Sequence, residues 1–106
     1  MRAEDKPAAR DLGAEAKAAK SAFEGYAKWQ AAEPDKVDAD GLYRWSLRWA
    51  QAEAAGGKPK DAYAAHLERM TKLATAREKA VKSGEASKVE LSAVQFYLAE
   101  AERLAK

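Results

Sequence analysis

Apolar residues recur along this chain at spacings of three and four, which is the period of one face of an α-helix. Four such stripes follow one another, and turn-forming residues separate them. The stripes are, in chain order, Leu12, Ala16, Ala19, Phe23 and Tyr26; Leu42, Trp45, Trp49 and Ala52; Tyr63, Leu67, Met70 and Leu73; and Leu91, Val94, Leu98 and Ala101. The pattern predicts four amphipathic helices and no strand.

The ends of the first two helices are marked by proline, aspartate and glycine. Helix 1 is expected to begin within residues 5–7, since proline is tolerated in a first helical turn. It should end near Ala32, because Pro34 disfavours helical geometry in the residue before it. Helix 2 is expected to start around Asp38 as an N-cap and to end at the glycine pair 56–57.

The ends of the last two helices are marked in the same way. Helix 3 is expected to open at Pro59, a position that proline favours, and to stop before Gly84. Helix 4 begins with a capping box, in which Ser87 and Glu90 would each bond the other's exposed backbone N–H.

The second stripe returns 49 positions later as the fourth: Leu42, Trp45, Trp49, Ala52 and Glu53 correspond to Leu91, Val94, Leu98, Ala101 and Glu102. A fixed offset indicates two copies of one supersecondary unit, here a helical hairpin. Short connections make sequential helices antiparallel. The sequence therefore predicts one all-α domain over residues 1–106, an up-down-up-down four-helix bundle built from two repeated antiparallel helical hairpins at about 5–56 and 58–106. An extended hairpin that dimerises to complete its core is the alternative.

The composition supports helices but limits the core. Alanine, the strongest helix former, occupies 27 of the 106 positions, whereas Val, Leu and Met together occupy 14. The nine aromatic residues must then supply much of the buried apolar area. Because six of them lie in the first hairpin, we expect that half of the molecule to hold the better core. These six are Phe23, Tyr26, Trp29, Tyr43, Trp45 and Trp49.

The charge pattern excludes several classes of partner. The chain has 19 basic and 17 acidic residues, which are interspersed and leave a net charge of +2. A nucleic-acid binder would show a denser basic stripe, so no nucleic acid is expected.

No cysteine is present, which excludes disulfides, and no apolar run approaches the roughly 20 residues of a membrane span. The polar start, residues 1–7, suggests a mature terminus with an added initiator Met.

Two segments resemble known bacterial proteins. From Gly84 to Glu102 the chain has a turn glycine, a serine cap, an acidic third helical residue, and then Leu, Gln, Leu and Ala-Glu at helical spacing. This segment resembles the recurring hairpin of TolC-type outer-membrane efflux proteins. The stretch from Leu42 to Glu53, with residues 65–70 downstream, resembles small bacterial helical proteins of unknown function that carry a similar hairpin.

The TolC-type resemblance implies a hairpin fold and suggests the periplasm or cell envelope. It implies no catalytic or binding residue. A channel of that type needs membrane strands and much longer coiled coils, so the chain is not expected to be an efflux channel.

His66 is the only histidine of the chain. Without cysteine, a zinc site would need several carboxylates beside it. A general acid–base role would need an oriented partner, and none is evident nearby in the sequence. We therefore expect His66 at the helix surface or boundary, and we expect no catalytic residue, metal or cofactor.

Aromatic and basic residues of helices 2 and 3 each allow two interpretations. Trp45 and Trp49, with Tyr26 and Phe23 opposite, form either packed core or a stacking platform for a ligand, and packing is preferred. Arg44 and Arg48 form either an anion clamp or a solvated face with cation–π contacts, and the solvated face is preferred. Arg77 interrupts the third stripe, where it would cover the core edge or pair with a carboxylate such as Glu78 or Glu100.

The leading functional hypothesis is a non-catalytic helical interaction or scaffold module that forms a homo-oligomer or binds a protein partner. Its basis is the repeated amphipathic hairpin together with the lack of a chemical motif. The alternative is a small-ligand-binding bundle that uses the Trp-rich first hairpin. An enzyme ranks third.

Overall fold

The computed structural model describes residues 11–32 and 39–106 and is all-α. Its four helices are α1 (Leu12–Ala32), α2 (Ala39–Ala55), α3 (Pro59–Lys82) and α4 (Lys88–Leu104). The described residues contain no strand, so the predicted fold class is confirmed. Within these ranges, no helix combines the length and the apolar character needed to cross a lipid bilayer.

Consecutive helices pack on one another, and α1 runs antiparallel to α2. Leu12 lies beside Gly56 near one end of the α1–α2 pair, and Phe23 meets Trp49 further along. Residue numbers therefore rise along α1 as they fall along α2. Packing of similar extent joins α2 to α3 and α3 to α4. In the described part of the chain, no comparable packing joins α1 to α4. The central pair of the helical bundle is therefore α2 and α3.

The helix ends agree with the predicted signals wherever those residues are described. Helix α2 ends at Ala55, and Gly57 follows with a φ of 107°, which glycine adopts without strain. Helix α3 begins at Pro59, as predicted. The described part of α1 begins at Leu12, where the Ala14 N–H donates to Asp11 Oδ1 at 3.0 Å. The predicted start within residues 5–7 and the predicted cap at Asp38 lie outside the described residues.

The predicted capping box of α4 is half formed. Ser87 Oγ accepts a hydrogen bond from the Glu90 N–H at 3.2 Å. The Glu90 carboxylate instead faces Arg77 of α3, with 3.6 Å between Glu90 Oε2 and Arg77 Nη1. Arg77 thus pairs with a carboxylate across the α3–α4 contact, but the partner is neither Glu78 nor Glu100.

The hydrophobic core lies where α3 meets α2 and α4. Its buried members come from these three helices: Leu42, Met70, Leu73, Val94 and Ala101. The expectation that the first hairpin holds the better core is wrong. Ala19 is the one buried residue described in α1, and the large rings of Phe23 and Tyr26 remain half-buried at the rim.

Candidate functional site

The α2–α3 interface contains a fully buried pair of polar side chains. Ser46 and His66 are each 0% exposed, and Ser46 Oγ lies 2.7 Å from His66 Nδ1. Ser46 is four residues from both Leu42 and Ala50, so it occupies the buried face of α2. His66 holds the corresponding place on α3, four residues from both Ala62 and Met70. The helical spacing therefore places Ser46 and His66 among the buried residues of the α2–α3 interface.

Arg69 joins this pair from one turn further along α3. Its Nε donates to Ser46 Oγ at 2.6 Å, and its Nη2 donates to the Ser46 carbonyl oxygen at 3.1 Å. The guanidinium carbon lies 4.0 Å from the centre of the Trp49 ring and 5.6 Å from that of Phe23. Arginine commonly stacks on aromatic faces in this way. The cation thus links the polar pair to the aromatic rim of the first hairpin.

The hydrogen bonds of the cluster involve one nitrogen of the imidazole. Arg69 Nε–H occupies one lone pair of Ser46 Oγ, and the hydroxyl either donates to His66 Nδ1 or accepts from it, according to the tautomer of the ring. Nε2 is buried and has no hydrogen-bond partner within the described residues.

At pH 7 burial keeps the histidine neutral, whereas the arginine stays charged despite its burial. Loss of hydration lowers the pKa of His66 from 6.5 to about 4, and the nearby Arg69 cation lowers it further in the same direction. Loss of hydration also lowers the pKa of Arg69 to about 10, against the opposing attraction of Glu53 and Glu68. The interface therefore holds one positive charge.

A second polar contact ties α2 to α4. The rings of Tyr43 and Tyr97 stack with centres 4.0 Å apart and planes 5° apart. Tyr43 Oη donates to Glu100 at 2.7 Å, and Tyr97 Oη donates to Asp40 at 3.1 Å. The pKa of Tyr43 is raised to about 12. Burial is the largest cause, followed by the hydrogen bond to Glu100 and by the negative charge of that carboxylate. The phenol thus remains a donor throughout the ordinary pH range.

The Ser46–His66 distance matches that of a nucleophile and its base, but the surroundings do not suit that role. Both side chains are closed off from solvent, and Arg69 donates into the oxygen that would have to attack. No group of three or more His, Cys, Asp or Glu residues suited to a metal occurs in the ranges 11–32 and 39–106. The arrangement joins two helices and does not present a reactive group.

The prediction for His66 is wrong in two respects. The side chain is buried instead of lying at a boundary, and it has an oriented partner in Ser46. The signal was present in the spacing from Ala62 to Met70. The predicted stripe instead contains Tyr63 and Leu67, each of which follows a buried residue, Ala62 or His66, by one position. In this half of α3 the predicted buried face is therefore rotated by one residue.

Contacts predicted for aromatic and basic residues of α2 are present in the structure. Arg48 lies over the Trp45 ring at 4.9 Å, which confirms the cation–π contact, and Arg44 pairs with Asp40 at 2.6 Å. The predicted meeting of Phe23 and Trp49 is confirmed, with ring centres 6.0 Å apart.

The aromatic rings of the first hairpin do not share one ligand cavity in the described structure. Trp45 lines a groove of about 290 Å³ with Ala19 and Ala52. Tyr26 lines a separate shallow groove with Trp29.

Comparisons with protein-family models, with curated proteins and with solved structures found no match to this chain.

Proposed function

We propose that this protein is a non-catalytic helical interaction module that self-associates through the outer face of α4. The observation that carries the proposal is the exposure of two large apolar side chains there, Val89 at 78% and Phe96 at 60%. With the exposed Ala93, they follow helical spacings of four and three and so form one stripe. We call this stripe, Val89, Ala93 and Phe96, the α4 outer face.

The α4 outer face is not the face that holds α4 in the fold. That role belongs to Val94 and Ala101, which are fully buried, with Leu98 packed against the same core. Burying apolar area releases roughly 25 cal/mol per Å², and a Phe ring can bury about 150 Å² or more. Covering the exposed stripe would therefore stabilise a complex.

The occupant that we propose is a second copy of the chain. Two α4 helices packed antiparallel about a two-fold axis would cover Val89, Ala93 and Phe96 of each chain with the same stripe of the other. Such an isologous contact is self-complementary and closes at a dimer.

The burial of the polar cluster supports a non-catalytic role. A substrate would have to separate α2 from α3 to reach Ser46 or His66, since both are fully covered. The resemblance of residues 84–102 to a TolC-type hairpin also supports helix pairing, and it extends the proposal to the bacterial cell envelope.

Light scattering coupled to gel filtration tests the proposal directly. At high concentration the wild-type protein should have about twice the 11.5 kDa mass of the chain. Phe96→Glu should be monomeric, because association would bury its charge against an apolar surface.

Gln95→Glu is the matched control for this experiment. It adds the same charge at the adjacent exposed position, outside the α4 outer face, and should keep the wild-type mass. A monomeric wild type at every concentration, or equal masses for the two variants, would contradict the proposal.

A further inference from the structure

A cavity of about 350 Å³ lies between α1 and α3, with α2 closing one side. Small-molecule sites typically have volumes of about 300–1,000 Å³, so it is large enough for a small ligand. The wall is mostly apolar and is formed by Phe23, Ala27, Leu42, Met70, Leu73 and Ala76. Ala27 and Ala76 keep the cavity open, because a larger side chain at either position would occupy it.

Arg69 and Lys72 are the charged residues described in this wall, and Arg69 is the one whose side chain is half-buried. Both of its hydrogen bonds go to uncharged oxygens of Ser46. No carboxylate of the described residues lies within ion-pair distance of it, although Glu53 and Glu68 attract it from further away. A half-buried cation beside an apolar cavity is poorly hydrated, and the described part of the chain gives Arg69 no ion-pair partner.

Lys72 and Gln30 also line this wall. Lys72 is exposed and pairs loosely with Glu68, with 3.4 Å between Nζ and Oε1. Solvent therefore reaches the cavity between α1 and α3. Among the described residues, its polar lining consists of Arg69, Lys72 and Gln30, and none of the described lining side chains is acidic.

We infer that this cavity binds a small amphiphilic carboxylate, with its chain among the apolar residues and its carboxylate on Arg69. The guanidinium retains N–H groups beyond the two donated to Ser46, and a carboxylate is the anion that matches its planar geometry. This site is separate from the α4 outer face and does not depend on self-association.

Ligand charge can be tested without any substitution. Octanoate, 1-octanol and octylamine have the same chain and differ in the head group. Isothermal titration calorimetry at neutral pH should show one octanoate per chain, bound at least about tenfold more tightly than octanol, with no octylamine binding. The NMR signal of Arg69 Nε–H should shift with octanoate alone. Equal affinity for the three compounds, or no saturable octanoate binding, would overturn the inference.

Substitution of one alanine tests the location. Ala76→Leu extends an exposed lining residue into the cavity and leaves Arg69 in place, so octanoate affinity should fall at least about tenfold. Ala64→Leu makes the same change at an exposed position of α3 away from the cavity and should bind as wild type does. Circular dichroism checks that both variants fold. Wild-type affinity in Ala76→Leu would exclude this cavity as the site.

Discussion

The α2–α3 interface and the α4 outer face have opposite distributions of polar and apolar groups. At the interface, Ser46 and His66 are fully buried, whereas on α4 the apolar Val89 and Phe96 are mostly exposed. A buried polar group is destabilising unless it is paired, so the interface favours the one alignment in which Ser46, His66 and Arg69 meet. An exposed apolar stripe imposes no alignment within the chain and gains free energy only when covered. The first region therefore serves the fold, and the second is available for association.

Acid should weaken the α2–α3 interface more than any single substitution below. Between the folded pKa of about 4 and the unfolded value of 6.5, the unfolded chain binds a proton at His66 that the folded chain does not. Folding stability is therefore complete above the unfolded value and falls as pH drops. The total loss is about 3 kcal/mol, of which roughly 2 kcal/mol is lost by about pH 5. Urea unfolding at a series of pH values measures it.

His66→Gln is the control for the acid effect. Its amide does not titrate, so the slope of stability between about pH 7 and about pH 5 should largely disappear. A wild-type free energy of unfolding that stays constant over that window would show that the histidine is hydrated.

Removing the hydroxyl at the centre of the interface should have the next largest effect. Ser46→Ala leaves Arg69 Nε–H and His66 Nδ1 without their partner, which should reduce stability by about 2 kcal/mol. Ser92→Ala, at an exposed position of α4, should change it by less than about 0.5 kcal/mol. Equal effects in urea unfolding would mean that the cluster is not buried as described.

The tyrosine pair that links α2 to α4 should respond more weakly. Tyr43→Phe removes a 2.7 Å hydrogen bond to Glu100 in a half-buried place and should cost about 1 kcal/mol. Tyr97→Phe removes a 3.1 Å hydrogen bond from the other member of the stacked pair, in an exposed place, and should cost less. The reverse order in thermal unfolding would contradict the assigned geometry.

The smallest effect on folding is expected at the α4 outer face. At concentrations where the chain is monomeric, Phe96→Glu should change the free energy of unfolding by less than about 0.5 kcal/mol. The side chain is already 60% exposed and contributes little to the core. A loss above about 1 kcal/mol in dilute urea unfolding would show that Phe96 belongs to the fold and not to an interaction surface.

The helices could be predicted from the sequence because their signals are local. Periodicity, the proline of α3 and the glycines at 57 and 84 act within a few residues, and the structure follows them. The polar cluster could not be predicted in this way. It depends on which residues of α2 and α3 meet. From the sequence, His66 is predicted at the helix surface or boundary, although it lies in the buried row between Ala62 and Met70. A histidine and a serine at core spacing on adjacent helices are the signal that could have revealed it.

An NMR titration of the imidazole tests most directly whether the polar cluster is closed architecture. His66 is the only histidine, so its signals need no separation from others. We predict a titration midpoint near pH 4. A midpoint near the ordinary 6.5 would contradict the account. It would mean that solvent, and hence a substrate, reaches the Ser46–His66 pair.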